Sequence, residues 1–230
     1  MIIFGRNAVR EALRGRRRVE RAWATPGAAR ESWLSGVSLE QVESEEVESR
    51  CGHPDHQGLC AEVGPYPYVP AGGLLAADDA LVVCLDQVQD PRNLGAVCRV
   101  AECAGVSGVV IPERRAAEVT PVACKAAAGA VEHLPVARVR NVADYLREAK
   151  EAGAWIYGAA AGGGVDYLRP DYRGRVVLVL GSEGAGLRPR VEDTCDELVS
   201  LPMRGQIDSL NVSAAAAVLV YGILHSRASG

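Results

Sequence analysis

An alternation of apolar runs and helical stretches, beginning at residue 80, limits what this chain can become. Leu81-Val82-Val83-Cys84-Leu85 is unbroken and of strand length, the pattern of a strand covered on both faces. Residues 93–104 then change period: Leu94, Val97, Cys98 and Ala101 share one side of a helix that stops at Gly105. The same exchange repeats down the chain. Strands are expected over 108–111, 134–139, 154–159, 176–180 and 197–201, and helices over 121–130, 142–152 and 210–226. That order predicts α/β architecture, a mostly parallel sheet with helices on both faces. Low aromatic content (5%) with abundant Ala, Val and Gly suits such tight layers better than a β-sandwich.

The part before residue 80 reads as a smaller α/β unit. A helix is expected over 7–13, strands over 19–24 and 58–63, and an acidic surface helix over 39–47. Gly64-Pro65-Tyr66-Pro67-Tyr68-Val69-Pro70-Ala71-Gly72-Gly73 holds three prolines and three glycines, so neither a helix nor a central strand continues through it. The expected division of the 230 residues is therefore 1–64, a linker over 65–79, and 80–230. No apolar run approaches the roughly 20 residues of a membrane-spanning helix, and the opening residues lack an apolar stretch followed by a cleavage site. Seven cysteines, an odd number with no C-x-x-C pair, fit buried thiols in a reducing compartment. A cytoplasmic chain without membrane contact is expected.

Cys51, His53, His56 and Cys60 include the residue types of a zinc site, but all four lie within ten residues, and one short loop rarely wraps a tetrahedral ion. No metal is expected. A net charge of −4 gives no global support for a nucleic-acid partner. The charges are uneven, however: Arg6, Arg10, Arg14, Arg16, Arg17, Arg18 and Arg21 crowd the start, and local patches of this kind hold phosphate backbones.

In a parallel sheet, ligands collect at the carboxyl ends of the strands. Three of those ends are rich here. The first is Asp86-Gln87-Val88-Gln89-Asp90-Pro91-Arg92-Asn93-Leu94-Gly95, leading into a helix that carries Arg99. Asn93 suits a helix cap or a rim residue, and Arg99 either a solvated face or a bidentate clamp on phosphate or carboxylate. The second is Gly181-Ser182-Glu183-Gly184-Ala185-Gly186-Leu187, whose glycine order differs from the G-x-G-x-x-G of a dinucleotide site. Glu183 would repel phosphate, so either a neutral or cationic ligand or a plain turn with a solvated Glu accounts for it. The third follows Leu201 and contains Ser209, Asn211 and Ser213 at the opening of an alanine-rich helix. Capping explains one or two of those polar groups, not all of them.

The segments DQVQDPRNLGAVCR, LVLGSEGAGL and LPMRGQIDSLNVSAAAA, in that order, resemble the motifs of the SpoU branch of the SPOUT RNA ribose 2′-O-methyltransferases. The likeness covers about residues 80–227. The opening FGRNAVREAL and the stretch HQGLCAEV are similar to the small L30e-like substrate-binding domain of enzymes that methylate a guanosine of 23S ribosomal RNA. That likeness gives His56-Gln57-Gly58 a reading without zinc. The resemblance implies a C-terminal trefoil-knotted α/β domain after an N-terminal L30e-like domain that binds substrate RNA. It implies S-adenosylmethionine in the knot, with Gly181, Leu201 and Leu210 at the matching cofactor positions. Asn93, Arg99, Glu183, Ser209 and Asn211 match the polar catalytic set. A homodimer with the last helix in its interface is implied too, as is an RNA partner, ribosomal RNA first, with Arg6, Arg16, Arg17 and Arg18 as its candidate footprint. Methylation of a transfer RNA or of an antibiotic-resistance site in ribosomal RNA, or a non-catalytic RNA-binding role, are the alternatives. The family account makes Arg99 the group that activates the hydroxyl. A guanidinium with a pKa above about 12 is a poor general base, so a phosphate or oxyanion contact is expected of it.

Overall fold

The computed structural model describes residues 1–182 and 184–229. The N-terminal sheet contains β1 (Ile2–Phe4), β2 (Val19–Ala24), β3 (Leu39–Gln41) and β4 (Leu59–Val63) in the order β1-β4-β2-β3. β4 runs antiparallel to both neighbours, while β3 runs parallel to β2. Helix α1 (Arg6–Arg14) buries Ala8, Val9 and Ala12, and α2 (Ser44–Cys51) buries Val47. The helix expected over 39–47 is corrected here. Leu39–Gln41 extends the sheet edge instead, and Glu45 and Glu46 occupy the first turn of α2, where the helix dipole favours negative charge. β1 carried too few residues to show a period.

The second sheet contains β5 (Leu81–Leu85), β6 (Gly108–Pro112), β7 (Val136–Val139), β8 (Trp155–Ala160), β9 (Val165–Asp166), β10 (Val176–Leu180) and β11 (Glu197–Ser200). Their order is β7-β6-β5-β10-β8-β11-β9, and every neighbouring pair is parallel. Between them run α3 (Pro91–Cys103), α4 (Pro121–Ala126), α5 (Val142–Glu151), the short α6 (Pro189–Glu192) and, last, α7 (Val212–Ser229). Side chains alternate between two cores. Leu81, Val83 and Leu85 of β5, with Val176, Leu178 and Leu180 of β10, meet Leu94, Val97 and Cys98 of α3 and Ala216, Leu219 and Ile223 of α7. Val82, Cys84, Val177 and Val179 point the other way, onto Val142, Tyr145 and Leu146 of α5. An alternating polar strand would leave polar groups in one of these cores, at a cost of about 1–3 kcal/mol for each one unpaired. The unbroken apolar runs are what a sheet covered on both faces requires.

The two sheets are joined through α1 and the segment from Lys125 to Leu134. A Cβ on Gly15 would lie 2.6 Å from Cβ of Glu132, and one on Gly129 would lie 2.5 Å from Cβ of Glu11. Within this contact Arg17 meets Glu132, with side chains only 2% and 1% exposed. The Tyr66 hydroxyl lies 3.0 Å from the carbonyl oxygens of both Val131 and Leu134. Val69, in the stretch expected as a linker, bonds along β7 by its N–H to the Val136 oxygen at 3.0 Å. Among the described residues no helix is long and apolar enough to cross a membrane.

Candidate active site

The carboxyl ends of β8, β10 and β11 open into a cavity of about 290 Å³. Small residues make up much of its wall, Ala159 and Ala160 at the end of β8, Ala161 just after it, and Gly181, Gly184 and Gly186 after β10, with the larger Leu201 and Met203 after β11. Ser209, Leu210 and Val212 close it at the start of α7. At Gly181 the chain passes so close to its own return that a Cβ would lie 2.2 Å from the carbonyl carbon of Gly186, so only glycine fits. Ser182 and Gly186 bond each other at 3.1 and 2.9 Å, with Gly186 at φ +67°. Asp86, fully buried at the end of β5, accepts the Arg188 backbone N–H at 2.9 Å and its Nε–H at 2.8 Å. That pair holds the loop after β5 against the loop after β10. Asp86 belongs to the first of the three rich strand ends, but its role was not legible there; its signal was a carboxylate placed directly after a fully apolar strand.

The sequence-predicted residues divide as follows. Gly181, Leu201, Ser209 and Leu210 all line the cavity. Asn93 does not cap α3: the Asp90 carboxylate takes that place, accepting the Arg92 N–H at 2.8 Å just before Pro91. Asn93 lies in the first turn instead, where its Oδ1 accepts from Nδ2 of Asn211 at 3.0 Å. Asn211 in turn caps α7, its Oδ1 accepting the Ser213 N–H at 2.9 Å. Ser209 Oγ donates to the carboxylate of Asp208 at 3.2 Å. Asn93 and Asn211 are thus brought together at the start of two packed helices. Arg99 is exposed and makes no hydrogen bond or ion pair among the described residues. Val97, Cys98 and Ala101 face the core from the same helix, so the apolar sequence around Arg99 does not bury it. Glu183 lies outside the described residues.

The N-terminal arginines do not act as one patch. Arg16 and Arg18 are exposed, whereas Arg6 is held by Glu31 at 2.8 Å and by the backbone oxygen of Gln57. Arg17 is corrected: its guanidinium is buried on Glu132, Gly64 and Cys124, out of reach of any phosphate. The Cys–His loop also disperses. His53 stacks on Phe4 at 4.7 Å, His56 accepts the Gly58 N–H at 3.0 Å, and Cys60 is buried. No group of three or more His, Cys, Asp or Glu among the described residues is placed to hold a metal ion.

A cavity of this kind recognises a ligand by shape and backbone contacts. Asp208 is its one charged side chain among the described lining residues, which suits a ligand carrying positive charge. These features fit S-adenosylmethionine, with its flat neutral base and cationic sulfonium.

Comparison with known proteins identifies the arrangement. The model of the SpoU rRNA Methylase family matches residues 80–221, and that for RNA 2′-O ribose methyltransferase substrate binding matches residues 2–69. The chain is 36% identical to the putative TrmH family tRNA/rRNA methyltransferase YacO of Bacillus subtilis (strain 168), over 98% of this chain and 95% of that one. It is 37% identical to a tRNA/rRNA methyltransferase of Synechocystis sp., described as uncharacterized, over 98% of this chain but only 62% of the longer relative. The crystal structure of the SpoU methyltransferase AviRb from Streptomyces viridochromogenes, in complex with the cofactor AdoMet, aligns with a TM-score of 0.85 and 25% identity. That alignment covers 100% of this chain and 91% of the other. The fold is accordingly the α/β knot of these enzymes with an N-terminal substrate-binding domain, and the chain belongs to the SpoU rRNA methylase family.

Proposed function

We propose that the protein transfers a methyl group from S-adenosylmethionine to a ribose 2′-OH of RNA, with a guanosine of 23S ribosomal RNA as its target. The observation that carries this reading is the Asn93–Asn211 contact beside a small-residue cavity, in a chain matched by both the methylase and the substrate-binding models. Gly181, Leu201 and Leu210 hold the cofactor, which when bound supplies an electrophilic methyl on sulfur. A ribose hydroxyl is a weak nucleophile at neutral pH, so it must be oriented in line and relieved of its proton as it attacks. Asn93, Asn211 and Ser209 orient the ribose, and Glu183 belongs to the same set. Arg99, exposed and without a partner among the described residues, binds the target phosphate or the developing oxyanion. A pH–rate profile of Arg99→Lys tests this: weakened RNA binding with an unmoved basic limb supports the contact role, and a large shift of that limb overturns it.

Residues 1–64 bind the substrate RNA, 65–79 join the parts, and 80–230 carry the chemistry. Exposed Arg16 and Arg18 contribute phosphate contacts. The protein works as a homodimer through α7. Val218 and Tyr221, 40% and 51% exposed, lie on its outer side, and a helix apolar all round is one built to be covered. Light scattering on Val218→Glu with Tyr221→Glu should give a monomer if α7 is the interface; an unchanged mass would reject it. The deciding experiment for function is labelled S-adenosylmethionine with total RNA, followed by mapping of the labelled nucleotide. Label in a 23S guanosine is the expected result. Label in transfer RNA would replace the target, and RNA binding without label would replace the enzyme with a binding protein.

A further inference from the structure

The chain leaves the N-terminal unit along β7, and the cavity opens at the carboxyl ends of β10, β8 and β11, so β6 and β5 stand between the two in the sheet, with the loop after β6 at the same carboxyl edge. Arg114 and Arg115 are exposed there, and neither makes a hydrogen bond or ion pair among the described residues. Arg115 also has φ +57°, a left-handed conformation that favours glycine and that a long side chain adopts only where its surroundings impose it.

The turn is fixed on three sides. The Ala117 N–H bonds Val88 O at 2.8 Å in the loop that leads to Asn93, and the Glu113 N–H bonds Val139 O at 2.9 Å at the end of β7. The Val119 N–H donates to the Tyr68 hydroxyl at 3.0 Å, in the segment that leaves the N-terminal unit. The carboxylates nearby are largely engaged: Glu118 pairs with Arg138 at 3.2 Å, and Asp90 caps α3. Glu113 remains against exposed Arg92, Arg114, Arg115 and Arg140.

We propose that the turn at Arg114 and Arg115 is a phosphate-binding element for the RNA strand lying between the substrate-binding unit and the cavity. The inference rests on the reading of the chain as an RNA methyltransferase. Guanidinium groups match phosphate oxygens in bidentate fashion. Contacts of this type set the position of the strand and are read through the salt dependence of binding, without base preference.

The test uses the full chain, transcribed 23S ribosomal RNA and bulk transfer RNA as probes, and three variants: Arg114→Gln with Arg115→Gln, Arg114→Lys with Arg115→Lys, and Arg115→Gly. Filter binding across a salt series is compared with calorimetric binding of S-adenosylmethionine. The Gln pair should bind RNA about tenfold more weakly at low salt, with a slope flattened by roughly 0.7 per lost contact. Its cofactor affinity should be unchanged, and the Lys pair should keep the slope. Arg115→Gly, which relieves the left-handed backbone, should weaken RNA binding without lowering Tm. Parent-like RNA affinity and slope in the Gln pair would overturn the assignment alone. So would a Lys pair whose salt slope is as flat as that of the Gln pair. If the parent protein neither binds nor methylates either RNA, the methyltransferase reading and this inference fall together.

Discussion

Replacing Glu132 by Gln takes the negative charge from the most enclosed ion pair among the described residues. Arg17 would keep its guanidinium in a site where both side chains are almost wholly shielded from water. Its remaining partners are weak: Gly64 O at 3.4 Å, Met1 Sδ at 3.4 Å, Cys124 Sγ at 3.5 Å, and the Tyr66 ring at 5.7 Å from its centroid. Removing one partner of a buried pair costs about 3–5 kcal/mol, because the other charge stays buried and uncompensated. Gln preserves the shape and one oxygen acceptor, which places the expected loss near the lower end, about 3 kcal/mol. That is a large part of the roughly 5–15 kcal/mol that keeps a domain folded. Urea unfolding followed by circular dichroism should show a midpoint lowered by about 1 M or more, given m near 1–3 kcal/mol/M. The complementary variant removes both charges, Arg17→Met with Glu132→Leu, and should be neutral or more stable by about 1–4 kcal/mol. The stability gap between parent and Glu132→Gln should change little with added salt, since ions do not enter the site. A Glu132→Gln protein within about 0.5 kcal/mol of the parent, or a double variant as damaged as the single one, would refute the burial argument.

Gly181→Ala should lower affinity for S-adenosylmethionine by calorimetry while the protein stays folded, because the Cβ collides with backbone at Gly186 that has no side chain to move aside; unchanged affinity would remove Gly181 from the site. Asn211→Ala should destabilise by about 1 kcal/mol through loss of the α7 cap, whereas Asn93→Ala leaves that cap intact, so a thermal melt should separate the two while methyl transfer falls in both. Cys103 is the one exposed cysteine, and burial pushes Cys98 up to about 12 and Cys124 up to about 11. At pH 8 an aromatic disulfide reagent should therefore label Cys103 first, and equally fast labelling of Cys98 or Cys124 in the native protein would contradict the packing of α3 and α4.

The central strands were legible because burial on both faces leaves no room for polar residues. Leu81–Leu85 and Val176–Leu180 carry that requirement in their sequence. Leu39–Gln41 was not legible: three residues cannot display a period, and the acidic residues after them belong to a helix that starts at Ser44. Consecutive arginines posed a different difficulty. Arg16, Arg17 and Arg18 are chemically alike, and only the meeting of α1 with the segment around Glu132 decides that the middle one turns inward. Within the site, Asp86 meets Arg188, and Asn93 meets Asn211, 102 and 118 residues apart. No local pattern encodes such pairs; motif resemblance placed Asn93 and Asn211 in one set, and geometry alone placed Asp86.

The stretch from the cavity mouth into α7 leaves four large apolar side chains in water: Ile207 at 73% exposure, Leu210 at 44%, Val218 at 40% and Tyr221 at 51%. Single exposed apolar residues need no explanation, but these follow one another from the wall of the cavity onto the outer face of a helix whose inner face buries Ala216, Leu219, Val220 and Ile223. Covering about 100 Å² of such surface is worth roughly 2.5 kcal/mol, close to two orders of magnitude in affinity. Leu210 lines the cavity, and Asn211 beside it caps α7. A ligand that fixes Leu210 therefore also fixes the start of the helix proposed to meet a second copy. The two events draw on adjoining surface, so each should strengthen the other, and by linkage with the same total coupling free energy. The subunit dissociation constant, measured by sedimentation, should fall when S-adenosylmethionine is saturating, and, with one cofactor per subunit, the affinity of each site should rise by the square root of that factor as the protein is concentrated. A dissociation constant unmoved by cofactor would show that the cavity mouth and the outer face of α7 act independently.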